Sequence, residues 1–399
     1  MKNRIVQSIL IASALCTAPV VLQAQLGQFS LEGHTFQLHG FASQGYAVSN
    51  QNNFLTMQTS KGSFAFTDGG LNLSTSLTDK FRVGAQGYLR NVGQLGGGRL
   101  SLDWAFGDYR FADWFGIRAG KVKTPLGLFN DTQDAESLHT WALLPQSVYP
   151  LDLRSSTIAH VGGDIYGQLA LRKAGSIDYT VYGGARPNDR RSGYYFNTQD
   201  TGVPIRTFTG KIVGSDVRWN TPVAGLMAGM SFLDEMDHIN GTYIAAGNAP
   251  YLLDSSPLHM TSAYVDYSRG KLRVNGEFRR NKKVERFNLF GNQSALNFSD
   301  KGWFVTGAYR VTRQLELGAY HSHYRVDVPQ TADPAGNHLF DTTLTARYDL
   351  TRWWNVKVEG HFMDGHGDLY SAHGFYLRSN PTGIGPTTNL LVIRTGFYF

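Results

Sequence analysis

The chain ends in the sequence Leu391-Val392-Ile393-Arg394-Thr395-Gly396-Phe397-Tyr398-Phe399. Leu391, Ile393, Thr395, Phe397 and Phe399 alternate with a second set of positions that includes an arginine and a glycine. Successive side chains of a β-strand point to opposite faces of the sheet. The segment therefore predicts a final β-strand with one largely apolar face, closed by an aromatic residue.

The same alternation recurs in earlier segments, among them 81–90, 303–311 and 354–362. One face of each segment is apolar with aromatic residues toward its ends, and the other face is polar and charged. A soluble sandwich or propeller would hide the apolar face inside, whereas a membrane barrel turns it toward lipid. The aromatic ends favour the barrel, because aromatic girdles mark the two membrane interfaces.

Short and long connections alternate between these segments. Seven short turns and eight longer polar or Gly-rich segments can be distinguished, the longer ones near 49–62, 93–99, 125–157, 187–207, 236–256, 283–299, 327–338 and 364–386. Fifteen connections join sixteen strands. We therefore predict an all-β fold, a sixteen-stranded antiparallel transmembrane β-barrel over residues 34–399, with short turns at one end and long loops at the other.

The composition agrees with a membrane-facing sheet. The 399 residues include 45 Gly, 24 Phe, 20 Tyr and 7 Trp, and only 17% are charged, against about 25% in soluble domains. Cys16 is the only cysteine. Elsewhere in the chain this excludes thiol catalysis, cysteine-ligated zinc and iron–sulfur clusters.

The first 24 residues have the pattern of a secretory signal peptide. Lys2 and Arg4 precede an apolar stretch, and Ala24 provides a small residue for cleavage. The apolar stretch is too short to span a bilayer, although a genuine N-terminal helix is the alternative. Cleavage would remove Cys16, lower Lys+Arg from 37 to 35 against 31 acidic residues, and leave residues 25–33 as a short periplasmic segment.

With these features the chain resembles Gram-negative outer-membrane porins of the sixteen-stranded class. Phe397 and Phe399 resemble the C-terminal sorting signal of such proteins, and the segment 116–130 resembles the strand and loop entry of the phosphate-selective and related substrate-specific branch. The resemblance implies location in the cell outer membrane, insertion by the barrel-assembly machinery and a homotrimer. It also implies that the third loop folds into the barrel and narrows the pore.

That third loop is the longest, at about 125–157. It carries Asp131, Asp134, Glu136 and Arg154, together with apolar residues such as Trp141. A long loop with apolar content is usually functional or packed, and an outer cap on neighbouring loops is the alternative to an inward fold. Between Asp134 and the proline at 145 the sequence predicts a short helix.

Basic residues should line the wall opposite this loop. Strand parity places Arg82, Arg90 and Arg118 on the polar face. A basic wall opposite acidic Asp131, Asp134 and Glu136 would set up a transverse field that selects among ions. We therefore predict a passive diffusion channel for small hydrophilic solutes or ions, without cofactor or metal and with a mild anion preference. Paired lumen charges with little selectivity are an equally open alternative.

Two rival functions remain at this stage. An outer-membrane β-barrel enzyme, a protease or phospholipase, would need a clustered nucleophile, histidine and acid. His321-Ser322-His323 does not supply one, because adjacent strand residues point to opposite faces. An adhesive or structural barrel is the other rival. The basic run 279–283 is expected to meet lipopolysaccharide phosphates among the outer-membrane lipids, and no nucleic-acid partner is expected for an exported barrel.

Overall fold

The computed structural model describes residues 27–200, 202–247, 249–255, 258–289, 292–329, 332–367 and 378–399. The predicted signal peptide at 1–24 lies outside the described residues. Of the predicted N-terminal segment at 25–33, residues 27–33 are described, and they contribute a short strand that pairs with the beginning of the next.

The described residues form eighteen strands. Their bounds are β1 Gln28–Leu31, β2 His34–Ser49, β3 Ser63–Ser76, β4 Phe81–Val92, β5 Leu95–Ala112, β6 Phe115–Lys123, β7 Ala159–Ala170, β8 Ser176–Ala185, β9 Ile205–Asn220, β10 Leu226–Tyr243, β11 Ala249–Ser255, β12 Leu258–Arg269, β13 Leu272–Leu289, β14 Asn292–Arg310, β15 Leu315–Val326, β16 His338–Asp349, β17 Trp354–Gly365 and β18 Thr387–Tyr398. Two α-helices are present in the same ranges, α1 Arg154–Thr157 and α2 Gly193–Asp200, and neither is long and apolar enough to span a bilayer.

Sixteen of these strands close into one antiparallel barrel, which confirms the predicted fold class. Each strand from β2 to β10 pairs with the next, β12 to β18 continue the sheet from β10, and β18 pairs with β2. The two remaining strands are short additions. β1 forms a hairpin with β2, and β11 pairs with the outer parts of β10 and β13.

The final residue contributes to the seam of the barrel. The Phe399 N–H donates to the Gly40 carbonyl at 2.9 Å, and the Gly40 N–H donates to the Phe399 carbonyl at 3.1 Å. A Cβ atom at Gly40 would lie 2.5 Å from the Phe399 ring. A glycine at this position therefore lets the terminal ring lie flat against β2.

The outer face of the barrel is apolar, as the alternation predicted. In β18 the side chains of Leu391, Ile393 and Phe397 are exposed, whereas Val392 and Arg394 are buried. A closed sheet satisfies its own backbone hydrogen bonds, so an apolar outer surface on such a sheet is suited to lipid.

Three predicted loops are wrong. Most of the region 236–256 lies in β10 and β11, which pair with each other. Residues 93–99 contain only a tight turn, in which Gly93 adopts a φ of +59°, and β5 already begins at Leu95. The region 283–299 belongs to β13 and β14, which remain paired as far as Leu289 and Asn292. Polar residues along these ends reflect an aqueous environment, and they are compatible with a strand that continues beyond the membrane.

Candidate functional site

The third loop connects β6 to β7 and covers residues 124–158. The helix predicted between Asp134 and residue 145 does not form, and only a 3-10 turn is present at Glu136–Leu138. The helix does not form because backbone N–H groups of this segment bind a side chain of the barrel wall. The Ala142 and Leu143 N–H groups each donate to the Glu359 carboxylate at 2.9 Å. Backbone groups that bind the wall are not available for helical hydrogen bonds.

The middle of the loop contacts the buried faces of β15–β18. Arg347 donates to the carbonyls of Ser137 at 2.7 Å and His139 at 2.8 Å. The Trp141 indole packs edge-on against Tyr320, with ring centroids 5.1 Å apart. These strands are far from β6 and β7 in the sheet order, so the loop reaches a distant part of the wall.

A second group of contacts joins the loop to β13 and β14. Glu277 accepts hydrogen bonds from the Leu128 N–H, at 3.0 Å, and from the Tyr149 hydroxyl. The Phe129 ring stacks on Phe304 with centroids 6.0 Å apart. Nearby, Arg279 donates to the carbonyl of residue 148 at 2.6 Å. Loop segments on both sides of the 3-10 turn are therefore attached to the wall.

The negative charge of Asp134 is neutralised by basic residues on its own side of the barrel. Its carboxylate pairs with Lys123 at 2.6 Å and with Arg154 at 3.2 Å. Arg154 also pairs with Asp103 at 3.0 Å, and its guanidinium lies 4.2 Å from the centre of the Tyr88 ring. Two acids and two bases form one buried cluster at this point.

Glu136 lies two residues after Asp134 and is paired with a different part of the wall, at Lys357 of β17. Its carboxylate contacts the Lys357 ammonium, which also donates to the carbonyls of Glu136 at 2.8 Å and Trp141 at 3.0 Å. Burial by itself raises the pKa of the Glu136 carboxyl, but the charges of Lys357 and Arg394 outweigh burial and hold this pKa below its usual value. The carboxylate is therefore ionised and its charge is neutralised locally.

The structure places the three arginines of the predicted basic wall in two different environments. Arg90 is buried and donates to the Leu151 carbonyl at 2.8 Å, so it belongs to the loop contacts. Arg118 is half-buried, lies 3.7 Å from Asp164, and stands over the Phe106 ring at 5.3 Å. Arg82 is exposed and faces the same ring at 5.8 Å.

Asp131 is the loop acid that is least enclosed. A third of its side chain is exposed, and its carboxylate lies 3.8 Å from Arg218. The structure therefore brings Arg90, Asp134, Glu136 and Arg154 into loop–wall contacts, whereas Arg82, Arg118 and Asp131 remain accessible.

The space between loop and wall is small. A cavity of about 30 Å³ is lined by Asp68, Tyr88, Arg154, Arg394 and the loop from Gln133 to Leu151. A second cavity, of about 60 Å³, lies between the loop and Arg279. Each has room for only a few water molecules, so the loop and the wall pack closely at these two points.

Arg394 is a functional residue that the sequence reasoning missed. Its guanidinium pairs with Asp68 at 2.5 Å and donates to the Ala142 carbonyl at 2.7 Å, which fastens the loop to the seam strand β18. The available signal was one charged residue, Arg394, directly after the apolar run 390–393. A charge on the inner face of such a strand requires a partner.

One arrangement on the wall resembles a catalytic triad. The His160 ring lies 3.1 Å from the Thr124 hydroxyl through Nδ1 and 2.8 Å from Asp164 through Nε2. All three side chains are almost entirely inaccessible, so a substrate could not reach the hydroxyl. Across the described ranges, no group of three or more histidine, cysteine or acidic residues is positioned to hold a metal ion.

No protein-family model matches the chain, and no curated protein sequence matches it either. Solved structures do. OmpT of Vibrio cholerae aligns over 93% of this chain and 100% of its own, with a TM-score of 0.57 and 11% identity. The barrel shares its fold with outer-membrane porins and channels. DcaP of Acinetobacter baumannii, an outer-membrane channel, aligns over 94% of this chain and 100% of its own, with a TM-score of 0.56 and 11% identity. An anion-selective porin from Comamonas acidovorans aligns over 92% and 100%, with a TM-score of 0.52 and 10% identity.

Proposed function

We propose that the protein is a porin, a passive diffusion channel for small hydrophilic solutes or ions across the outer membrane, and that its third loop folds inside the barrel as the constriction. The observation that carries this proposal is a set of hydrogen bonds on buried faces of distant strands: loop N–H groups donate to Glu359 and Glu277, and loop carbonyls accept from Arg347 and Arg394. Ala142 and Leu143 also share a buried cluster with Leu55 and Met57 of the neighbouring loop, but an outer cap would not reach the buried strand faces as well.

We further propose a mild preference for anions. The loop acids Asp134 and Glu136 are neutralised by neighbouring bases, so their charges contribute little to the field felt by a passing ion. Arg82 and Arg118 remain accessible on the wall. Charged rings of this kind select among ions without binding them tightly. We also propose a substrate-specific pore like those of the phosphate-selective and related branch, on the basis of the resemblance of the segment 116–130.

The enzyme alternative has one observation in its favour, which is the Thr124–His160–Asp164 arrangement. A nucleophile must touch its substrate, and all three groups are buried. We therefore propose a non-enzymatic channel in preference to a protease or phospholipase. An adhesive or structural barrel would not require a loop fastened to the inner wall.

The assembly follows from the same proposal. We propose that a signal peptide directs export, that the barrel-assembly machinery inserts the chain, and that Phe397 and Phe399 act in sorting. A homotrimer in contact with outer-membrane lipid and lipopolysaccharide is the proposed final form, and a form of Vibrio cholerae OmpT is described as a trimer.

A liposome-swelling assay tests the channel proposal. Vesicles that contain the refolded protein should swell in small neutral sugars and more slowly as the sugar becomes larger, because the constriction admits solutes by size. Vesicles with heat-unfolded protein are the control. Swelling that is no faster than in the control, at a confirmed content of folded barrel, would contradict the proposal.

A further inference from the structure

The middle of the first long loop, residues 50–62 between β2 and β3, is buried in the outer mouth of the barrel. Phe54, Leu55 and Met57 are each at most 1% exposed. We name these three residues the apolar tip. The loop joins the ends of β2 and β3 that lie on the side of the long loops, so the apolar tip is at the outer entrance.

The apolar tip belongs to a buried cluster that extends along half of the barrel wall. Strands β2 to β5 and β15 to β18 each contribute at least one apolar residue to this cluster, such as Val92 of β4 and Leu390 of β18. These strands are neighbours, because β18 pairs with β2. Ala142 and Leu143 of the third loop belong to the same cluster. The first loop therefore packs on the third loop and on the wall at once.

The opposite side of the mouth is occupied by α2. Tyr195 of this helix shares a buried cluster with Phe208 of β9 and Ile239 of β10. The neighbouring Phe196 packs against the cluster that contains the apolar tip. Apolar contacts thus extend from one side of the mouth to the other.

Hydrogen bonds attach the residues before the apolar tip to the last loop. The Asn52 side-chain amide donates to the Gly385 carbonyl at 2.8 Å, and the Gly385 N–H donates to the Asn52 side-chain oxygen at 2.7 Å. The Asn53 N–H donates to the Asn380 side-chain oxygen at 2.7 Å, and the Asn380 amide donates to the Asn53 carbonyl at 3.0 Å. The apolar tip therefore extends from a fixed base.

The turn within the apolar tip has an unusual backbone. The Met57 N–H donates to the Phe54 carbonyl at 3.1 Å, which closes a turn around Leu55. Leu55 has a φ of +52°, a conformation that favours glycine or asparagine and costs free energy for a leucine. Strained residues persist only where their surroundings hold them, and they are frequent in switch regions. Packing of the Leu55 side chain therefore offsets the strain of its backbone.

We propose that the apolar tip is a second constriction of the channel, stacked on the third loop, and that Leu55 is the residue that positions it. This inference rests on the proposed channel function. An apolar constriction excludes hydrated ions by dewetting, so ions pass only when the apolar tip moves away from the cluster. The open time of the channel then depends on the packing of Leu55.

Single-channel recording of the full chain tests this dependence. Leu55→Asn removes the apolar side chain but retains the turn, because asparagine suits a positive φ. Loss of a buried leucine side chain changes a packing equilibrium by about thirtyfold or more, and the ratio of open to closed time should rise by this factor. Leu55→Met keeps an apolar side chain of similar volume and should behave as wild type. So should the matched control Leu77→Asn, which alters an exposed leucine in a short turn.

Thiol labelling follows the apolar tip without the need for a current. In a Cys16→Ser background, Thr56→Cys places a thiol next to Leu55 at a position that is 6% exposed, and Gln51→Cys places one at an exposed position of the same loop. A water-soluble methanethiosulfonate reagent should modify Thr56→Cys far more slowly than Gln51→Cys. Adding Leu55→Asn should raise the rate at Thr56→Cys by the same factor of about thirty.

Three results would overturn the inference. The first is an open-to-closed ratio of folded Leu55→Asn equal to that of wild type. The second is a Leu55→Met channel that opens as often as Leu55→Asn. The third is modification of Thr56→Cys as fast as Gln51→Cys, which decides the matter even if Leu55→Asn fails to fold. Absence of current from every folded protein would contradict the channel proposal instead, and the labelling rates would still test the position of the apolar tip.

Discussion

Replacing Glu136 with glutamine should release the third loop from the wall. The Glu136 carboxylate and the Lys357 ammonium are both buried, at 5% and 0% exposure. In Glu136→Gln the ammonium would keep only carbonyl partners, at 2.8 and 3.0 Å. Removing one partner of a buried ion pair costs about 3–5 kcal/mol. Because this pair connects the loop to β17, the cost falls on the docked loop, and the ratio of docked to released loop should fall at least about a hundredfold.

Single-channel recording in planar bilayers measures this release. The variant should show a larger or noisier open current than wild type, because the constriction is no longer held in one position. Asp113→Asn is the matched control, since it removes an exposed ion pair with Arg110 at 3.2 Å in a short turn. Such a pair contributes at most about 1 kcal/mol, so the control should conduct as wild type does.

A second variant checks the physical reason. Glu136→Gln combined with Lys357→Met leaves no unpaired buried charge, so it should recover much of the steady wild-type current. If folded Glu136→Gln conducts with the wild-type current and noise, the ion pair does not hold the constriction, and the loop position must be maintained in another way.

Three further predictions concern pH, assembly and selectivity. Burial lowers the pKa of His139 to about 4 in the docked loop, whereas the pKa of this residue in a released loop would be near 6.5. Docking of the loop should therefore weaken by about 3 kcal/mol as the pH falls from 6.5 to 4. Current noise should rise over this range in wild type but not in His139→Gln. Deleting Phe399 removes two seam hydrogen bonds to Gly40, so unboiled gels should show less folded barrel, and an unchanged folded fraction would contradict a role for this residue. Arg118→Ser should shift the reversal potential toward cations in low salt, with a smaller shift at 1 M, where screening acts within about 3 Å; an identical low-salt potential would remove Arg118 from the ion path.

The strand number and the two faces could be predicted because lipid imposes them on the sequence. Every strand that crosses the bilayer must present apolar residues at alternate positions, as Leu391 and Ile393 do in β18. The length of the outer strand ends could not be predicted in the same way. Residues 292–298 are exposed to water on either face. A hairpin and a loop therefore require the same polar residue types at these positions.

The site was predictable only in part. Strand parity places Lys357 and Glu359 on the inner wall, but it does not indicate which loop residues they meet, because those contacts join positions more than 200 residues apart. For the same reason the sequence placed Asp134 and Glu136 opposite a basic wall without revealing that each is paired with a neighbouring base. Accessible charge, and with it selectivity, depends on these pairings.

The most direct test of the central claim is the conductance of the wild-type protein in a planar bilayer. A passive channel with a constricting loop should give discrete current steps that vary linearly with small voltages and need no energy source. If protein with a confirmed folded barrel, transferred from liposomes into the planar bilayer, gave no current steps, the claim would be contradicted.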